Sequence, residues 1–144
     1  MASGDTVVAS IPANAVTDYA GNNNAASTST DNSVTYDATQ PTVTINQAGT
    51  QVDPASSEPI VFTVIFSEAV TGFNAADVQL SGTAGGAKTV TVILMDAITY
   101  RVEISNLTTA GTITATVRIN AAIDAAGNPS LASTSVDNTV TYVP

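Results

Sequence analysis

The sequence contains no cysteine, no histidine and no tryptophan, and only three basic residues, Lys88, Arg101 and Arg118. Without cysteine or histidine there is no Ser-His-Asp or Cys-His catalysis, no thiolate chemistry and no ordinary zinc or copper site. Twelve Asp and Glu against three Lys and Arg give a formal charge of −9. That balance opposes nucleic acid and anionic membrane by long-range repulsion and favours cations as partners. Aromatics make up 5% of the chain, so the core must be lean and built from β-branched side chains. No apolar run approaches the roughly 18 residues that span a bilayer, which argues against membrane insertion. Met1 to Ala20 lacks the basic start and apolar run of a signal peptide, so an export signal is expected outside these residues. The absence of disulfides leaves the compartment open.

What is present is a repeat. Asn14 to Tyr36 reads NAVTDYAGNNNAASTSTDNSVTY and Asn120 to Tyr142 reads NAAIDAAGNPSLASTSVDNTVTY; fifteen of twenty-three positions are identical at a constant offset of 106, without a gap. The match extends upstream through Thr6 with Thr112 and Ala9 with Ala115. Residues 1–37 are therefore expected to be the last two strands of a preceding unit, and residues 38–144 a complete unit, taken from an array.

Within the complete unit the apolar period is two: Ile60, Phe62, Val64 and Phe66; Val90, Val92 and Leu94; Tyr100, Val102 and Ile104; Ile113, Ala115, Val117 and Ile119; Val140 and Tyr142. With Val43 and Ile45, and a short segment near Asp77 to Leu80, the pattern predicts seven strands at 41–47, 60–67, 76–81, 87–95, 98–105, 111–119 and 134–142. The fold class expected is all-β, an immunoglobulin-like seven-stranded antiparallel sandwich preceded by the last two strands of another repeat. A jelly roll or small barrel is the alternative.

The segments PTVTINQAGTQVDPASSEPIVFTVIFSEAVTGF, LSGTAG, IDAAGNPSLASTSVDNTVTYV and VTDYAGNNNAASTSTDNSVTYD resemble the tandem bacterial Ig-like repeats of large surface and secreted proteins, including giant adhesins. The resemblance implies a non-catalytic spacer or adhesion module, located extracellularly or at the cell surface, whose partners are neighbouring repeats.

The acidic residues are the only concentrated chemical resource. In a seven-strand sandwich alternate loops return to the same end, which places Asp37 in the linker, Glu68 after the second strand, Asp96 in the turn between the fourth and fifth, and Asp124 with Asn128 between the sixth and seventh. All would share the N-terminal end. Hard oxygen ligands on loops suit Ca²⁺, and an inter-domain calcium site on Asp37, Glu68, Asp96, Asp124 and Asn128 is the sharp expectation. The bland one is that these residues form local turns, Asp124-Ala-Ala-Gly127-Asn128 above all. Some adhesins of the resembled class bind calcium between or within Ig-like domains, although the cadherin DxNDN linker is missing. Asp31, Asn32, Asp137 and Asn138 are expected to be bulge or edge features.

Other motifs lead to bland readings. Gly82 to Thr89 nearly matches a phosphate-binding loop, but Ala87 replaces its last glycine and the following VTVIL is strand, so a glycine-rich turn is expected. Lys88, the only lysine, has no marked partner for an isopeptide cross-link. Asn106-Leu-Thr108 is a sequon. Glu68 with Asp124 as a glycosidase pair finds few aromatics to line a sugar cleft; a carbohydrate-binding module is a further alternative, which exposed aromatic residues on one face would favour, although the chain has only four Tyr and three Phe. The second functional class is a fibre subunit: residues 1–37, resembling the last two strands of the complete unit, could exchange into another molecule by domain swapping.

Overall fold

The computed structural model describes residues 1–144 and divides the chain into two compact units, Met1–Thr39 and Gln40–Pro144. The first holds a two-stranded antiparallel hairpin, β1 (Thr6–Val8) and β2 (Ser33–Thr35). The second holds seven strands: β3 (Val43–Gln47), β4 (Ile60–Phe66), β5 (Val78–Ser81), β6 (Thr89–Leu94), β7 (Thr99–Ser105), β8 (Gly111–Val117) and β9 (Thr139–Tyr142). They form a four-stranded sheet ordered β3-β4-β7-β6 and a three-stranded sheet ordered β5-β8-β9. In chain order this is first-second-fifth-fourth against third-sixth-seventh, the arrangement of immunoglobulin constant-type sandwiches.

The period-two alternation is what the strands bury. Ile60, Phe62, Val64 and Phe66 of β4, with Val102 and Ile104 of β7, face Ile113, Ala115 and Val117 of β8 and Val140 of β9 in one core. The residues between them are exposed or half-buried. Phe66, Phe73 and Tyr100 meet edge-on, with ring centroids 5.1–5.8 Å apart, the geometry that aromatic quadrupoles favour. The Tyr100 hydroxyl donates to the Val70 carbonyl at 3.3 Å. Burial pushes that phenol above its ordinary pKa.

Leu94 and Ile119, the last apolar positions of their alternating sets, are exposed rather than in the core, Ile119 lying beyond the end of β8, and two segments differ from the expected strand bounds. Residues 75–77 form a 3-10 turn rather than the start of β5. Asn74 accepts from the Ala76 N–H and Asp77 reaches back to the Asn74 N–H, a capping box that closes the turn. Asp77 is buried and also receives Arg118 Nε and Nη2 at 2.9 and 2.7 Å. The last strand begins at Thr139 rather than near 134, because residues 134–137 bond to β3 instead of continuing the β8–β9 ladder. Thr134 exchanges hydrogen bonds with Val43 and Ile45, Gln47 N–H donates to the Asp137 carbonyl at 2.7 Å, and Asn46 Oδ1 accepts from the N–H groups of both Val136 and Asp137. Asp137 and Asn138 are thus ties rather than edge features: the Gln47 amide donates to the Asp137 carboxylate, and Asn138 Nδ2 donates to the Ala115 carbonyl.

The first unit reproduces part of the second bond for bond. β1 pairs β2 with Thr6 opposite Thr35 and Val7 opposite Val34; β8 pairs β9 with Thr112 opposite Thr141 and Ile113 opposite Val140, the same register 106 residues on. Ala9 N–H bonds the Asn32 carbonyl as Ala115 N–H bonds that of Asn138, and Ser27 N–H bonds the Ile11 carbonyl as Ser133 N–H bonds that of Val117. Asn14 and Asn120 take left-handed φ values of 63° and 60°. Such identity follows from fifteen shared residues at identical spacing, since both copies have the same alternation and the same turns in connections of corresponding length.

Candidate functional site

Of the expected site residues, the structure places Glu68 and Asp124 side by side in the second unit. Glu68 follows the end of β4 at Phe66, where Ser67 and Thr42 exchange hydrogen bonds that close the β3–β4 end of the sheet. Three residues later Thr71 and Ile123 exchange backbone N–H···O bonds of 2.8 and 3.0 Å. That antiparallel bridge joins the segment after β4 to the long β8–β9 connection. It brings carboxylate oxygens of Glu68 and Asp124 within 4.8 Å of each other.

Asp124 is held by its own turn. Its Oδ1 accepts from the Asn128 N–H at 2.8 Å and its Oδ2 from Asn128 Nδ2 at 2.9 Å. Gly127, at φ +91°, lets the chain reverse between them. The Asn128 side chain, with the backbone N–H groups of the turn, holds the Asp124 carboxyl below its ordinary pKa against a smaller opposing effect of burial. Asp18 and Asn22 build the same turn in the first unit, at 2.8 and 3.0 Å. The turn reading is therefore correct for this loop.

Asp37 belongs to the first unit, where its Oδ1 accepts from Ser3 Oγ at 2.8 Å and from the Thr39 N–H at 2.9 Å. The Thr39 N–H is the main cause of its lowered pKa, followed by Ser3. Asp96 is not brought to Glu68 and Asp124. It caps the β6–β7 hairpin, accepting from the N–H groups of Ile98 and Thr99 at 3.0 and 2.9 Å, and the Ile98 bond leads in lowering its pKa. Alternate loops do return to one end, but β6 is the edge strand of the four-stranded sheet, while the loop carrying Asp124 belongs to the other sheet. Sharing an end is not sharing an edge.

The remaining motifs are structural. Gly82 to Lys88 is a turn bonded to residues 108–112, followed by strand β6, and Lys88 Nζ donates to the Ala84 carbonyl at 2.6 Å. All five aromatic residues of the second unit, Phe62, Phe66, Phe73, Tyr100 and Tyr142, are buried in the core, so none is presented as a sugar-stacking platform. No helix is long and apolar enough to cross a membrane.

A family model described as bacterial Ig-like domain matches residues 37–142. The chain belongs to the bacterial Ig-like domain family. The match covers 106 residues, which equals the offset of the internal repeat, so one family domain is one period. Domains of this bacterial Ig-like family are generally non-catalytic, structural and often found in surface proteins. No curated protein and no solved structure matches the chain.

Proposed function

We propose that this bacterial Ig-like domain is a load-bearing spacer repeat of an extracellular surface or secreted protein. The observation that carries the reading is the way the first and last segments of the second unit are joined. Residues 43–55 and 134–143 run parallel, bridged at Thr44 with Thr134 and at Ala55 with Tyr142. They are tied by backbone bonds of Val43, Ile45, Gln47 and Ala55 and by the side chains of Asn46 and Asp53. Tension applied at the two ends of a parallel pair pulls along both strands in opposite directions. It loads all these bonds together in shear instead of peeling them one at a time. A module in an adhesive array needs that property, and resistance to force is governed by the unfolding rate rather than by equilibrium stability.

Single-molecule pulling of the chain between flanking reference modules tests this. Asn46→Ala removes two ties in the tension path and should lower the unfolding force clearly. Asp96→Ala, which loosens a hairpin turn outside that path, should lower the thermal midpoint while leaving the force unchanged. Equal forces for Asn46→Ala and the unaltered chain would refute the reading.

Calcium is the second part of the proposal. One Ca²⁺ with bonds of about 2.3–2.6 Å spans oxygens up to about 5 Å apart, and the 4.8 Å limit on Glu68 and Asp124 fits that span. Glu68 and Asp124 would hold the ion, with Asn128 orienting Asp124; its role there is to neutralise paired carboxylates and stiffen the loop. Extracellular calcium modules bind at roughly 10⁻⁴–10⁻³ M. At about ten times Kd the gain is RT ln 11, about 1.4 kcal/mol, a rise of roughly 5 °C in Tm. Melting in calcium against EDTA, at ionic strength matched with NaCl to remove general screening, should show that rise. Glu68→Gln should abolish most of it, and Asp37→Asn tests whether the linker acid contributes. Coincident melts would eliminate the calcium site and leave the load-bearing reading intact.

A further inference from the structure

The first unit presents an uncovered copy of a face that the second unit covers. Val7, Ile11, Val34 and Tyr36 are 47%, 57%, 70% and 44% exposed; their equivalents Ile113, Val117, Val140 and Tyr142, in the same hairpin register, are 0%, 1%, 0% and 7% exposed. Ala9 and Ala115 repeat the contrast. An isolated two-stranded hairpin is marginal in water, and four large apolar side chains in line on one face form a patch that marks an interaction surface. In the second unit that face is covered by the four-stranded sheet, through Val43, Ile45, Phe62, Val64 and Val102.

We infer that the β1–β2 hairpin is a docking surface whose occupant is the first five strands of a further repeat of this family, a segment with the chemistry of residues 38–106. The occupant follows from the duplicate: the same hairpin, in the same register, is seen seated on those five strands. A second copy of this chain fits less well. Its own five strands already hold β8 and β9, and displacing them exposes Ile113 and Val140 in exchange for burying Val7 and Val34. The resident hairpin is moreover tethered at an effective concentration of order millimolar, which favours it by about 10³ at micromolar chain. The inference stands on the duplicated register and not on the load-bearing reading, so either can fail alone.

The test joins residues 38–106 of this chain directly ahead of Met1 of the full chain, which restores the period of 106. Amide hydrogen exchange is then followed by NMR. In the chain as it stands the amides of Val7 and Val34 should exchange fast. In the extended chain they should slow at least 100-fold, toward the rates of Ile113 and Val140. In the extended chain Val34→Asp should return the added segment and the hairpin to fast exchange while Ile113 and Val140 stay protected. Thr35→Asp, on the opposite face, should change nothing. An added segment that leaves the hairpin unprotected, or a Thr35→Asp effect equal to that of Val34→Asp, overturns the proposal. Concentration-dependent protection and dimers of the unextended chain would also overturn it, by assigning the surface to a second copy.

Discussion

Phe66→Ala is expected to destabilise the second unit by about 3–5 kcal/mol, the range for deleting a buried aromatic ring. Phe66 is 1% exposed, pairs with Val43 across β3–β4 and packs edge-on against Phe73 and Tyr100 at 5.5 and 5.8 Å. With seven aromatic residues in the whole chain, neighbouring side chains have little bulk with which to refill the space, which puts the cost toward the upper end. Typical domains are stable by only 5–15 kcal/mol, so the variant should lose a large share of its folded population on mild warming. Phe66→Leu keeps most of the volume and should cost less than about 1.5 kcal/mol. Ile65→Ala, one position along the strand but 44% exposed, should cost under about 1 kcal/mol. Urea titrations followed by circular dichroism give all three. Equal midpoints for Phe66→Ala and Ile65→Ala would mean that the three-ring packing does not form.

The second large effect comes from a position where nothing but hydrogen fits. Gly86 sits at φ +113°, and a β-carbon there would lie 2.1 Å from the Asn106 carbonyl oxygen. Gly111, at φ +155°, is closed off in the same way by the backbone of Ala84 at 2.3 Å, and Gly82 by the Thr112 carbonyl oxygen at 2.1 Å. The three glycines let the link between β5 and β6 lie against the chain entering β8, backbone on backbone. Gly86→Ala combines strain of about 1–3 kcal/mol with overpacking of about 1–3 kcal/mol, and should cost about 2–5 kcal/mol in total. Gly127→Ala has strain without collision, since nothing lies within 4 Å of its β-carbon, and should cost about 1–2 kcal/mol. Calorimetry of the two variants separates the cases. A Gly86→Ala loss no greater than that of Gly127→Ala would show that the link yields.

Local patterns carried most of the fold. Alternation in IVFTVIF, TYRVEIS and GTITATV sets which face is buried, because strand side chains alternate by geometry alone. Identity at an offset of 106 was enough to place two hairpins in one register. The Asp124 to Asn128 turn was equally legible, since its bonds close within four residues. The site was half legible: loop alternation grouped Glu68 with Asp124, as the structure does, but it also grouped Asp96 with them, and the structure keeps Asp96 apart. Glu68 reaches Asp124 through the Thr71–Ile123 bridge, fifty-two residues apart in sequence, and Asp96 is kept apart in the turn that joins edge strand β6 to β7.

The sequence by itself thus determined the strand alternation, the repeat period, the turns and the exclusion of thiol and imidazole chemistry, all consequences of composition or of contacts between near neighbours. Only the tertiary structure decided that residues 134–137 tie to β3, that Asp96 stays apart from Glu68 and Asp124, and that Gly82, Gly86 and Gly111 meet backbone. These depend on pairs separated by about 20 to 90 positions. Backbone N–H and C=O groups are the same in every residue but proline, so pairing between distant segments leaves no periodic mark in the side chains, and closure of the sandwich alone selects it.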